Sequence, residues 1–401
     1  MTHDQSPNNK KPNPSTLCVW SGETEHALYE GATQQPVVHS VSFGYDDIDT
    51  WHAVALEKAQ GHIYSRNTNP TVRAFEEKVR DLEGAAAATS FSSGMAAISN
   101  TLNTFLHSGN RVVSIKDSYG GTNKLFTEFL PPMGIAVALC ETTDYAAIED
   151  EVGLGCKLLY LESPTNPTVK IIDIERLAKA AKKVGAVVVV DNTFATPINQ
   201  NPLQLGADIV IHSATKYLGG HADALGGVAC GSHELIKKIY HYREINGAAL
   251  SPMDAYSLLR GMKTLGLRID RQNRSALIIA RWLQQQPMVE QVNYPGLPSH
   301  PNHDIAAKQM RGFGGMLSFS VVGGLDAIKT FLPRLRYAHM AANLGCVETV
   351  VGPPLVTSHV ECTAEERAAA GIPEGLVRYS TGIEDVEDLI ADLEQALACL
   401  R

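Results

Sequence analysis

No apolar run in this chain of 401 residues reaches the length of a membrane span, and residues 1–14 are polar, rich in proline and asparagine, and lack an apolar core. Neither a transmembrane helix nor a secretory leader is expected, and residues 1–14 read as a short disordered tail. The seven cysteines, Cys18, Cys140, Cys156, Cys230, Cys346, Cys362 and Cys399, are odd in number, far apart and never in a C-x-x-C pair. That spacing argues against a disulfide framework and a zinc site, and for reduced thiols in a cytoplasmic protein. The histidines are equally dispersed and form no H-E-x-x-H pattern, so no metal centre is expected; His359 is the one near enough to a motif to watch. Lys and Arg do not cluster and the net charge is −9, which speaks against a nucleic-acid surface. A G-x-G-x-x-G after the first strand-like run and a P-loop lysine are both missing, which removes a nucleotide-dependent α/β enzyme. No internal repeat occurs.

What is present is a chain of 44% apolar residues, too long for one growing core, so two domains sharing an interface are expected. Strand-like runs at 111–116, 135–141, 157–163, 186–191 and 209–213 alternate with helical patterns such as 71–83, closed by Gly84, and 174–183. Such alternation means a mostly parallel sheet with helices on both faces. A long helical pattern over 252–286 then leads to a smaller domain holding a strand at 315–322 and a terminal helix at 386–400. The expected division is an N-terminal arm over 15–65, a large domain over 66–255 and a small α+β domain over 256–401.

The segment His212-Ser213-Ala214-Thr215-Lys216-Tyr217 sets a lysine behind two hydroxyls and ahead of a Gly-Gly turn. This is how a Schiff-base lysine is presented to pyridoxal 5′-phosphate: Lys216 for the aldehyde, Ser213 and Thr215 for the phosphate. Read alone, Lys216 is equally a surface lysine after a buried strand. The apolar run 186–190 delivers Asp191 at its carboxyl end, where open α/β sheets bind ligands, and a carboxylate there suits a protonated pyridine nitrogen. The other role for Asp191 is a turn residue or helix cap. Ser93-Gly94-Met95 opens a helical pattern whose first N–H groups form a phosphate seat, or simply an N-cap. Tyr119, just past the run 111–116, can stack on a flat ring or serve as a core aromatic.

The segments Tyr64-Ser65-Arg66-Asn67-Thr68-Asn69-Pro70-Thr71, Ser93-Gly94-Met95, Tyr119-Gly120-Gly121-Thr122, Glu162-Ser163-Pro164-Thr165-Asn166-Pro167, Asp191-Asn192-Thr193, Ser213-Ala214-Thr215-Lys216-Tyr217 and Leu376-Val377-Arg378 occur in that order. Together they resemble the Cys/Met-metabolism family of pyridoxal-phosphate enzymes, which includes cystathionine γ-synthase and γ-lyase, methionine γ-lyase and the O-acyl-homoserine sulfhydrylases. The resemblance runs from about Thr16 to the C-terminus. It implies fold type I of these enzymes (aspartate-aminotransferase-like), with pyridoxal phosphate as cofactor. It makes Arg378 the fork for the substrate α-carboxylate, a planar contact that suits arginine, with a strand-edge salt bridge as its other reading. Asn166 backs up the carboxylate or a ring oxygen, or is a turn residue held between two prolines. Tyr64 and Arg66 resemble a phosphate clamp supplied by a neighbouring subunit, which implies a homotetramer built from two catalytic dimers. Lys216 then moves the α- and β-protons, and Tyr119, beside the cationic Arg66, activates the incoming amine and protonates the γ-leaving group.

The departures bear on substrate. Gly121 stands where methionine γ-lyases of the family carry cysteine. In Ala341-Ala342-Asn343-Leu344-Gly345-Cys346, Ala342 replaces a glutamate that can bind the distal ammonium of cystathionine, and Asn343, a candidate substrate contact, replaces serine. Asn at this place looks more like the sulfhydrylases. The segment 352–359 also differs from the usual Pro-Ala-Ser-Met-Thr-His. The expected activity is γ-elimination or γ-replacement on a γ-substituted L-amino acid, such as an O-acyl-homoserine, homocysteine or a canavanine-like C–O substrate. A cystathionine enzyme proper and an idle relative that kept the fold are the alternatives, but an idle relative has no need of Lys216, Asp191, Tyr119 and Arg378 together.

Overall fold

The computed structural model describes residues 12–23, 29–360, 363–369 and 371–400. Residues 1–11 of the expected tail and Cys362 lie outside them; Pro14 already opens a helix, Pro14–Trp20, whose Cys18 is buried. The remaining six cysteines are free thiols. Among the described residues no helix is long and apolar enough to cross a membrane, and no group of His, Cys, Asp and Glu is arranged to hold a metal ion.

Seven strands form the larger sheet: β1 (Ala87–Phe91), β2 (Arg111–Ile115), β3 (Ala136–Cys140), β4 (Leu158–Glu162), β5 (Val187–Asp191), β6 (Ile209–Ser213) and β7 (Gly227–Gly231). Their spatial order is β1-β7-β6-β5-β4-β2-β3, and only β7 runs against the rest. Alternate residues of one strand serve opposite faces, as the two-residue period of a strand requires. Leu158 and Tyr160 pack with Ile98, Leu102 and Ile236 on one side, whereas Leu159 and Leu161 pack with Ile148, Leu177 and Ala181 on the other. Because β1, β2, β4, β5 and β6 are parallel, their carboxyl ends share one edge, and every motif segment from Ser93 to Lys216 follows one of those ends.

The helices form where caps and stripes agree. Pro70–Glu83 starts on the Asn69 cap, whose Oδ1 accepts from Thr71 N at 2.9 Å, and stops at Gly84 with φ 69°. Its buried stripe of Val72, Phe75, Val79 and Leu82 is worth roughly 1.5–3 kcal/mol per side chain before entropy is subtracted. Ile174–Lys183 likewise begins at an Asp173 cap and buries Ile174, Leu177, Ala178 and Ala181.

The helical pattern expected over 252–286 is two helices, Pro252–Met262 and Leu265–Leu283. The apolar period continues across the break, so the cause is tertiary: Gly261 lies against the Gly219 carbonyl, with no room for a Cβ. The second helix then aims Arg268 at the carbonyls of Tyr217 (2.8 Å), Leu218 (3.2 Å) and Gly261 (3.0 Å), which fixes the loop behind Lys216. Helix Pro252–Met262 buries Ala255, Leu258 and Met262 in the core under the large sheet, and Leu265–Leu283 runs from that core into the second one. The second core underlies β8 (Val289–Asn293), β9 (Met316–Val321), β10 (His339–Met340), β11 (Val350–Gly352) and β12 (Leu376–Ser380), ordered β10-β11-β12-β9-β8 and antiparallel except for β10 with β11. The terminal helix is α-helical over Val386–Leu397 and tightens to 3₁₀ over Ala398–Leu400.

Candidate active site

A cleft of about 940 Å³ opens where the carboxyl edge of the large sheet meets β12 and the segments before and after β11. Ser93, Gly94, Met95, Tyr119, Asn166, Asp191, Ser213, Thr215, Lys216 and Arg378 all line it, so ten expected site residues from six segments of the chain converge on one opening.

At one end Ser93 caps the helix Gly94–Phe105, its Oγ accepting from Ala96 N at 3.1 Å. The N–H groups of Gly94 and Met95, in the first turn, have no partner within the helix and carry the positive end of its dipole. Gly94 is required to be glycine because a Cβ would sit 2.6 Å from that of Ser213. Thr215 is engaged with Gly226, its Oγ1 accepting from the amide at 3.1 Å, and Thr193 Oγ1 accepts from Ser213 N at 2.9 Å.

Asp191 ends β5, 7% exposed, its Oδ1 accepting from Thr193 N at 2.9 Å. Burial pushes its pKa up despite that bond and the nearby His212. His212 in turn lies 2.6 Å from Glu83 Oε1, which also accepts from Asn192 Nδ2 at 2.8 Å, so a buried polar network ties the ends of β5 and β6 to the helix Pro70–Glu83. A carboxylate desolvated in this way calls for a cation.

Lys216 Nζ donates to Asn343 Oδ1 at 2.8 Å, and burial first, then the Arg378 charge, pushes its pKa down to about 8. Arg378 is itself 5% exposed on β12 and pushed down to about 10 by burial; it donates to Asn166 Oδ1 (3.2 Å) and to the Asn343 carbonyl (3.0 Å). Asn343, expected as a substrate contact, therefore bridges the two cationic groups from behind and does not line the cleft. His359 is buried and held neutral: burial and then Arg378 lower its pKa to about 4, and its Nδ1 pairs with Ser358 Oγ at 2.9 Å.

Tyr64 and Arg66 are not brought to the cleft of their own chain. They stack on each other at 5.0 Å, and Arg66 Nε donates to the Glu244 carbonyl at 3.0 Å. The structure adds residues that sequence reasoning left without a role. Glu162, Thr193 and Leu344 lay in or beside quoted motifs, whereas Ile98, Phe194 and Leu225 carried no signal beyond being apolar.

Anion donors at one end, a buried carboxylate, a deprotonatable amine and the half-exposed Tyr119 ring fit the phosphate, ring nitrogen, aldehyde and flat face of pyridoxal phosphate. The Cys/Met metabolism PLP-dependent enzyme model matches residues 15–398. The chain belongs to that family. Across it, this member is 43% identical over 392 residues to the L-methionine gamma-lyase of Fusobacterium nucleatum subsp. polymorphum, covering 97% of this chain and 98% of that one. It is also 43% identical over 340 residues to the O-succinylhomoserine sulfhydrylase of Pseudomonas aeruginosa, 85% of this chain and 84% of the other. Cystathionine gamma synthase from Xanthomonas oryzae pv. oryzae, in complex with aminoacrylate and cysteine, superposes with a TM-score of 0.92 at 39% identity, covering 97% and 98% of the two chains. The fold is thus the type I fold of pyridoxal-phosphate enzymes, and the cofactor of this family member is pyridoxal phosphate.

Proposed function

We propose that this family member catalyses γ-elimination or γ-replacement on a homoserine-derived, γ-substituted L-amino acid of sulfur metabolism. The observation that carries the reading is the pairing, within one cleft, of a lysine pushed down to about 8 with the Arg378–Asn166 fork 3.2 Å apart. Bound pyridoxal phosphate supplies an electron sink for charge developing at the substrate α- and β-carbons. Gly94, Met95, Ser213 and Thr215 would hold its phosphate, and Asp191 would keep the ring nitrogen protonated. Arg378 and Asn166 orient the substrate α-carboxylate. Lys216 Nζ takes and returns the α- and β-protons, and the Tyr119 hydroxyl gives its proton to the γ-leaving group.

The distal wall favours a substituent other than that of cystathionine or methionine. Ala342 and Thr357, which line the cleft from either side of β11, carry no charge. A Cβ on Gly121 would come within 2.9 Å of Tyr119 Cε1 and 3.0 Å of Met95 Sδ, so a cysteine there would displace the tyrosine. Overall identity does not choose, since a lyase and a sulfhydrylase stand at the same 43%. Asn343 behind Lys216 favours the sulfhydrylase side, and a canavanine-like C–O substrate meets the same uncharged wall.

The proposal includes a cytoplasmic homotetramer whose sites are completed by Tyr64 and Arg66 of a neighbour, and the division into arm, large and small domains given above. Val41 (56% exposed) and, on the helix Ile48–Ala55, Ile48 (78%) and Trp51 (50%) support it, because exposed apolar side chains along the arm call for a covering surface. The test is a substrate panel with and without sulfide, scored for 2-oxobutyrate and for homocysteine or new thioether. Turnover of cystathionine above every other substrate would overturn the distal-wall reading.

A further inference from the structure

We infer that Glu162 is the positioning residue that sets Tyr119 and Asn166 in register with each other. Glu162 is the last residue of β4, 5% exposed, and each of its two carboxylate oxygens takes one backbone amide: Oε2 accepts from Tyr119 N at 2.8 Å and Oε1 from Asn166 N at 3.1 Å. Those amides lie four residues beyond the ends of β2 and β4, neighbouring strands, in the segments that hold the two groups proposed to act at opposite ends of the substrate. Asn166 passes the constraint on, because its Oδ1 accepts from Arg378 at 3.2 Å. A chain of hydrogen bonds thus runs from the carboxylate fork through Glu162 to the backbone that carries the Tyr119 hydroxyl.

The choice of a carboxylate is costly here. Glu162 is the Cα partner of Asp191 on the adjacent strand, and burial, then the Asp191 charge, push its pKa well up. A second acid beside the ring-binding one is tolerated only where its acceptors are needed. Two convergent N–H groups, one buried and one partly buried, are such a need, since an amide left unpaired away from water costs as much as a lost hydrogen bond. Glutamine offers one carbonyl and would aim its NH₂ at the other amide, and an aliphatic side chain offers nothing.

The inference rests on the roles given above to Tyr119 and Asn166, and the experiment separates the two. Holoenzyme carrying Glu162→Ala is compared with wild type for turnover of O-acetylhomoserine with sulfide, cofactor content per subunit, and calorimetric affinity for L-norvaline, an amino acid with no γ-leaving group. Cofactor content stays at the wild-type level, kcat/KM falls about a hundredfold, norvaline affinity falls about tenfold, and Glu162→Gln recovers part of both losses. If Glu162 acts through Asn166, Glu162→Ala weakens norvaline binding by less than about threefold in an Asn166→Ala background. Multiplying losses, or wild-type norvaline affinity in Glu162→Ala, would overturn the inference. Wild-type activity in Tyr119→Phe and Asn166→Ala would instead sink the underlying roles. Should Glu162→Ala fail to fold, hydrogen exchange in the wild type decides: slow amides at Tyr119 and Asn166 support the inference, and exchange at the rate of an open loop overturns it.

Discussion

Replacing Asn343 by aspartate should slow capture of the cofactor aldehyde by Lys216. The lysine must be neutral to attack, and with a pKa of about 8 roughly a tenth of it is neutral at pH 7. Its Nζ lies 2.8 Å from Asn343 Oδ1, so the near-isosteric Asn343→Asp sets a carboxylate against the ammonium without changing volume. An opposite charge at that range raises a lysine pKa by about 1–3 units, which lowers the neutral fraction at pH 7 about tenfold to a thousandfold. The sign follows: a raised pKa keeps more ammonium at a given pH, so the variant is slower below its new pKa and approaches wild type above it. Apoenzyme is mixed with pyridoxal phosphate between pH 6 and 10 and the growth of visible absorbance is timed. The wild-type rate should climb with pH and level off near 8, and the variant curve should be displaced upward in pH. Superimposable profiles, or a wild-type rate still climbing near pH 10, would refute the reasoning. A variant with unchanged capture but a raised substrate KM would return Asn343 to substrate binding.

Lys216→Ala should lose activity by roughly 10⁴-fold or more in steady-state assays, because the cofactor tether and the proton carrier vanish together. Mixing inactive Lys216→Ala subunits with inactive Arg66→Ala subunits should restore part of the activity, since one composite site per dimer becomes whole; no recovery after co-refolding counts against shared sites. Ala342→Glu should shift the ratio of kcat/KM values toward cystathionine by about tenfold to a hundredfold, because it supplies a carboxylate for the distal ammonium, and an unmoved ratio shows that some other acid already does so.

Local signals carried most of the fold. The Asn69 cap with Gly84, and the Asp173 cap with its apolar stripe, each place their stop and start in neighbouring residues, and the helices Pro70–Glu83 and Ile174–Lys183 follow them within a residue. The strand-like runs over 157–163 and 186–191 are strands of a parallel sheet buried on both faces, Leu158–Glu162 and Val187–Asp191. The break between Met262 and Leu265 left no local trace. It depends on the approach of Gly261 to Gly219 and on Arg268 reaching the carbonyls of Tyr217 and Leu218, contacts between segments more than forty residues apart in sequence. Nor did residues 12–14 betray the helix that starts at Pro14, because its anchor is the burial of Cys18 against the first core.

The site divides along a chemical line. An aldehyde needs an amine, a protonated ring nitrogen needs a carboxylate and a carboxylate needs a guanidinium, so Lys216, Asp191 and Arg378 are restricted to single residue types and are readable as motifs. Glu162 is also one residue type, yet what it accepts is backbone N–H, and an amide from Tyr119 carries no mark in the sequence. The uncharged lining of the cleft is less restricted still. Ile98 comes from the helix after β1, Leu225 from the loop before β7, and Ala342 and Thr357 from either side of β11, and each need only be uncharged and of the right bulk. Many side chains satisfy that condition, and none of the four is near another in sequence except through the fold. Reaction class is therefore set by residues that cannot be exchanged. On the reading proposed above, substrate choice falls to residues that can, at the seam where the large sheet meets the small one.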